Sequence, residues 1–123
     1  MKVLILGAAG KIARHATRQF LEQEGNDLTL YLRKAGRLQN LASDRVEVVE
    51  GDVTDTRHLR EIAQGQDVVY ANLAGDDIED QAKSVVAALD AAGVRRLVWI
   101  STLGIYDEVP GAFGKWNHKM LDG

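Results

Sequence analysis

The sequence predicts an α/β domain, a parallel sheet with helices packed on both faces, and three observations predict it. Short apolar runs alternate with helical stripes, the order of elements that builds such a sheet. The runs are nearly continuous, as expected of strands covered on both sides and not of strands half open to water. Three helical stretches stop at a glycine, Gly25, Gly65 and Gly93, where a left-handed residue can close the last turn.

The first run, Val3 to Leu6, follows Met1 and Lys2. A charge ahead of an apolar stretch imitates a signal sequence, but Lys11 and Arg14 interrupt it far short of a bilayer span. It reads as a buried strand. Ile12, Ala13, Ala16 and Phe20 then share one helical stripe. Leu28 to Leu32 is the second strand, and residues 35–44 read as a loop in which Leu38 and Leu41 support only a short helix. Val46 to Val49 is the third strand. Asp55 is the expected N-cap of a helix carrying Leu59, Ile62 and Ala63. Val68 to Ala71 is the fourth strand, Ile78, Ala82, Val85, Val86 and Leu89 mark the longest helix, and Leu97 to Ile100 is the fifth strand. Pro110, Gly111 and Gly114 mark a loop after it.

Right-handed crossovers arrange these strands in the order 3-2-1-4-5, a Rossmann-type doubly wound sheet. Such a sheet normally adds a further strand, so this one reads as truncated after the fifth, with an open edge liable to pair with another chain. Residues 1–123 are expected to form a single domain, the N-terminal portion of a longer one.

Composition narrows the function classes. The chain has 123 residues, 46% of them hydrophobic, enough for one core and too few for two. A net charge of −3 supplies no basic field for nucleic acid or an anionic membrane, and neither is expected as a partner. The absence of cysteine excludes disulfides, thiolate metal sites and a cysteine nucleophile, and it fits a cytoplasmic location. His15, His58 and His118 lack metal-ligand spacing and read as surface residues, so no metal is expected. Trp99 and Trp116 read as packing residues.

The informative motif is Gly7-Ala8-Ala9-Gly10-Lys11-Ile12-Ala13, which leaves the first strand and opens the first helix. Glycine at position 7 can exit the strand in a conformation closed to other residues, and Gly10 lets backbone approach a pyrophosphate with no Cβ in the way. Ala13 lets the helix pack close to the sheet. Amides and the positive end of the helix dipole would then face the phosphates. A tight strand-to-helix turn favours glycine even without a ligand, but here the motif falls where the fold requires it. Asn72, Leu73, Ala74 and Gly75, after the fourth strand, should lie beside this turn at the point where strand order reverses.

With Leu32-Arg33-Lys34, Gly51-Asp52-Val53-Thr54-Asp55 and Ile100-Ser101-Thr102, this turn resembles the atypical short-chain dehydrogenase/reductases of the NmrA-like NAD(P)H-binding family. The likeness runs from Met1 to about Tyr106. It implies that Asp52 contacts the adenine end of a dinucleotide while Val53 packs on the ring.

An NAD-selective site usually carries an acid at the end of the second strand. Arg33 stands there instead, with Lys34 beside it and Arg37 near, a set suited to the 2′-phosphate of NADP(H). The plain alternative is a solvated basic loop.

The nicotinamide would lie over the carboxyl ends of strands four and five, near Ser101, Thr102 and Tyr106. Reductases of this superfamily commonly pair tyrosine with a lysine four residues on, but Pro110 follows Tyr106 at that spacing, and the usual Tyr-x-x-x-Lys pair is absent. Two functions are therefore expected. One is an NADPH-dependent oxidoreductase passing hydride to a quinone, flavin or conjugated carbonyl. The other is a non-catalytic redox sensor that reports dinucleotide binding to a protein partner. Oligomeric state is open.

Overall fold

All five apolar runs form strands and the three long stripes form helices. The computed structural model describes residues 1–7, 11–33, 42–73, 78–94, 96–101 and 104–108. The elements are β1 (Lys2–Leu6), α1 (Lys11–Glu22), β2 (Asp27–Leu32), β3 (Val46–Glu50), α2 (Thr56–Ala63), β4 (Val68–Asn72), α3 (Ile78–Ala92), β5 (Leu97–Ser101) and β6 (Gly104–Glu108). Strand order is β3-β2-β1-β4-β5-β6. The first five strands pair in parallel, giving the expected 3-2-1-4-5 arrangement.

The sixth strand was not expected. β6 runs antiparallel to β5, with Ser101 opposite Gly104 and Leu97 opposite Glu108, so two residues link the strands, as a hairpin permits. It covers the β5 edge that the sequence reading left open. Turn-prone residues interspersed with apolar ones after Ile100 concealed this strand.

Two apolar layers sandwich the sheet. Val3 and Ile5 face one layer, with Leu28, Leu30 and the half-buried Phe20 and Leu21 of α1. Leu4 and Leu6 face the other, with Tyr31, Val69, Leu97 and Trp99 against Leu59 of α2 and Val85 and Leu89 of α3. Successive β1 side chains thus divide between the layers with the period of a strand. On edge strand β3, Glu47 and Glu50 are exposed, charges that discourage edge-to-edge pairing.

Gly25, Gly65 and Gly93 all have positive φ at the ends of their helices, as the sequence indicated. Arg45 adds a closure that the sequence did not reveal. Its guanidinium donates to the carbonyls of Leu21 at 3.1 Å, Gln23 at 2.9 Å and Asn26 at 3.1 Å, placing a cation at the negative end of α1. The buried stripe of α3 is also broader than expected and takes in Gln81 and Ser84. The Ser84 hydroxyl donates to the Val53 carbonyl at 2.5 Å and lies 2.7 Å from Thr56 Oγ1, which removes the cost of burying it.

Candidate functional site

Strand order reverses beside β1, whose neighbours β2 and β4 lead to opposite halves of the sheet. Ligands of open α/β sheets bind outside the carboxyl ends of strands at this kind of point. Gly7 occupies it. Its φ is +70°, a conformation disfavoured for residues with a Cβ, and its N–H donates to the Tyr31 carbonyl at 3.2 Å. A Cβ at Gly7 would collide with the Asn72 carbonyl oxygen and stand 3.3 Å from Leu73 Cδ2. The structure therefore brings Gly7, Asn72 and Leu73 together at the carboxyl end of β1 and β4, as expected.

A second group forms at the carboxyl ends of β2 and β3. Arg33 follows β2 directly, and its Nε lies 3.2 Å from Asp52 Oδ2, with Nη2 3.5 Å from Oδ1. Asp52 Oδ1 also accepts from the Thr54 amide at 2.9 Å and the Thr54 hydroxyl at 2.8 Å. Those two Thr54 bonds, with the Arg33 charge beside them, hold the Asp52 carboxyl below its ordinary value. Arg33 and Asp52 both remain substantially exposed, so the pair sits at the surface where a nucleotide could reach it.

Tyr31 supports this group from below. Its phenol donates to the Asp52 carbonyl at 3.0 Å and lies 3.2 Å from His58 Nδ1. A Cβ on Gly51 would overlap the Tyr31 ring, 2.7 Å from Cε2, so glycine is needed for strand β3 to end against the tyrosine. Burial, followed by the charges of Asp55 and Asp52, pushes the Tyr31 phenol up to about 12.

One sequence reading is corrected. His58 is half-buried against Tyr31, with ring centroids 5.5 Å apart, and is not a plain surface residue. Val53 is a core residue, 7% exposed and packed in the layer with Leu59 and Ala63. Trp99 is buried in the same layer, as expected. Asp55 is the N-cap of α2, its carboxylate accepting from the His58 amide at 3.2 Å.

Lys11 and Ile12 begin α1, and Ser101 ends β5. Tyr106 lies within β6 opposite Trp99, two positions from the hairpin end. Ala8, Ala9, Gly10, Lys34, Arg37, Ala74, Gly75 and Thr102 lie outside the described residues, as do Pro110, Trp116 and His118. Sequence reasoning missed Tyr31, Thr54 and His58 as supports of the site. The Gly51-Asp52-Val53-Thr54 motif carried a signal for Thr54, because an aspartate side chain can accept from the backbone amide two residues on, the place that Thr54 occupies.

Among the described residues, no group of histidines and acids could hold a metal ion, and no helix is long and apolar enough to cross a membrane.

A Rossmann-type sheet with a glycine of positive φ at its reversal point, and an arginine directly after β2, defines a dinucleotide-binding domain. The chain belongs to the NAD(P)H-binding family, whose model matches residues 7–123. The resemblance to the NmrA-like short-chain dehydrogenase/reductases thus stands. A structure of a Rossmann-fold NAD(P)-binding family protein from Shigella flexneri is 42% identical, with a TM-score of 0.73 over 78% of this chain and 49% of that one. A short-chain dehydrogenase/reductase from Veillonella parvula in complex with NADP is 28% identical, with a TM-score of 0.72 over 81% of this chain and 46% of that one. A (4-alkanoyl-5-oxo-2,5-dihydrofuran-3-yl)methyl phosphate reductase of Streptomyces griseus is 30% identical over 84% of this chain and 35% of that protein. The chain therefore spans about half the length of those structures and about a third of that reductase.

Proposed function

We propose that this chain holds NADPH for an oxidoreductase that transfers hydride from the nicotinamide to a small acceptor, a quinone, a flavin or a conjugated carbonyl. The observation that carries the reading is Gly7 at the sheet's reversal point, where a positive φ and a contact with the end of β4 too close for any Cβ turn the chain out of β1 at the place where ligands of such sheets bind. The choice of NADPH rests on Arg33. Its guanidinium stands where an NAD-selective site carries an acid, and its charged N–H donors match a 2′-phosphate. The NADP carried by the Veillonella protein and the reductase name of the Streptomyces protein support this assignment.

The cofactor supplies the hydride, so the protein's part is to bind and orient. Gly7 to Ile12 would receive the diphosphate, Asn72 to Gly75 the adjoining ribose, and Arg33, Lys34 and Arg37 the 2′-phosphate. Asp52 would accept from the adenine amino group. Ser101, Thr102 and Tyr106 are the polar groups assigned to the acceptor. A quinone or flavin can take hydride and then a proton from water, so it does not need the Tyr-x-x-x-Lys pair that this chain lacks.

That missing pair favours a second reading, a dinucleotide-binding sensor that signals to a protein partner without turnover. Mixing the protein with NADPH and a panel of quinones, flavins and conjugated carbonyls, while following cofactor absorbance, separates the two. Acceptor-dependent oxidation supports the enzyme. Tight NADPH binding with no oxidation by any acceptor supports the sensor.

A further inference from the structure

We propose that Thr54 is a positioning residue for cofactor selectivity: it fixes the Asp52 carboxylate, and through that carboxylate the Arg33 guanidinium, so that the arginine is set in advance for a 2′-phosphate. This rests on the reading that Arg33 meets that phosphate.

An exposed arginine has many rotamers, and ordering it on binding costs affinity. Here the guanidinium is met along its side edge, Nε at 3.2 Å from Asp52 Oδ2 and Nη2 at 3.5 Å from Oδ1. The end edge of the same plane is a second donor set of the geometry that suits phosphate. A carboxylate orients its partner only if it is itself held. Thr54 holds it with two bonds to Oδ1, the amide at 2.9 Å and the hydroxyl at 2.8 Å. The main chain of Asp52 is fixed by Tyr31, whose phenol donates to the Asp52 carbonyl at 3.0 Å. Asp52 is thus clamped at its backbone and its carboxylate, and within the second clamp the hydroxyl bond alone depends on the Thr54 side chain.

NADPH and NADH differ at the 2′-phosphate alone, so alignment of Arg33 should affect one and not the other. Calorimetric titration of both cofactors into wild type, Thr54→Val, Thr54→Ser, Arg33→Ala and the Thr54→Val/Arg33→Ala double variant tests this. Losing one charge-assisted hydrogen bond should weaken NADPH binding about fivefold to tenfold in Thr54→Val. NADH lacks that phosphate and shares only the adenine contact assigned to Asp52, so its affinity should fall less and the preference for NADPH should drop. Thr54→Ser should restore the preference for NADPH, and Thr54→Val should not alter that preference further once Arg33 is alanine.

Equal loss of both cofactors in Thr54→Val would reveal a purely structural role and overturn the proposal. So would failure of serine to rescue, or an undiminished Thr54→Val effect in the Arg33→Ala background. If Thr54→Val does not fold, Thr54→Ala is read by the same ratio of affinities. Wild type binding both cofactors equally would remove the underlying Arg33 reading, whereas a wild-type preference that survives Thr54→Val would sink the Thr54 inference alone.

Discussion

Gly7 and Asn72 approach so closely at the carboxyl ends of β1 and β4 that a single added carbon on the glycine would collide with the asparagine's carbonyl oxygen. The contact ties the turn after β1 to the end of β4, the two segments that flank the reversal of strand order. Leu73 packs at the same place, so no side chain can grow from Gly7 without pushing β4 aside.

Replacing Gly7 with alanine should therefore destabilise the fold as well as the site. The left-handed conformation alone costs roughly 1–2 kcal/mol for a residue with a Cβ, and the collision adds to it. Urea unfolding should show a loss of at least that size, accompanied by weaker dinucleotide binding.

Reversing charge at Arg33 should separate the cofactors. Arg33→Glu places two carboxylates together at Asp52 and removes the donor set proposed for the 2′-phosphate. NADPH affinity should fall by about a hundredfold or more, a loss of roughly 3 kcal/mol. NADH affinity should hold or rise, since an acid at this position is the usual partner of a ribose 2′-hydroxyl. Parallel titrations with the two cofactors read the result.

The buried phenol of Tyr31 gives stability a basic limit. Its folded value of about 12 lies above the ordinary 10.0, so its contribution is complete below pH 10 and lost as pH rises toward 12. Unfolding midpoints should fall across that window, and less so in Tyr31→Phe. That variant should itself lose about 1 kcal/mol at neutral pH, the usual worth of a hydrogen bond of this kind. Asp52 acts in the opposite sense. With its folded value below 3.8, its contribution is present above that pH and lost as pH falls through the lower value.

Asp55→Ala serves as the contrast, because Asp55 caps α2 and is assigned no contact with the cofactor. Loss of the cap should cost about 1 kcal/mol in thermal or urea unfolding. Dinucleotide affinity should be unchanged in the folded protein.

Much of this fold was legible because its signals are local. Continuous apolar runs such as Val3 to Leu6 mark strands buried on both faces, and glycine after each long helix marks its end. Gly7, Arg33 and Asp52 were legible because motif spacing places them at strand ends. The supports of the site were not, because they act across the sheet. Tyr31 reads as one more apolar residue of β2, and only the packed structure shows its hydroxyl reaching Asp52, 21 positions further on. His58 looks like a polar residue on a short helix until that helix docks against the tyrosine. Arg45 carries no motif, yet it closes the end of α1 across more than 20 residues of chain. β6 escaped for a related reason, since a short antiparallel edge strand leaves little periodicity and is defined by its pairing with β5.

The central claim is that the turn after β1 cradles the diphosphate of a nicotinamide dinucleotide. Calorimetric titration of NADPH into wild type and Gly10→Val, with circular dichroism to establish that both are folded, tests it most directly. The account predicts single-site binding to wild type and a loss of at least about tenfold in the variant, or 1.4 kcal/mol. Unchanged affinity in a folded Gly10→Val protein would contradict it.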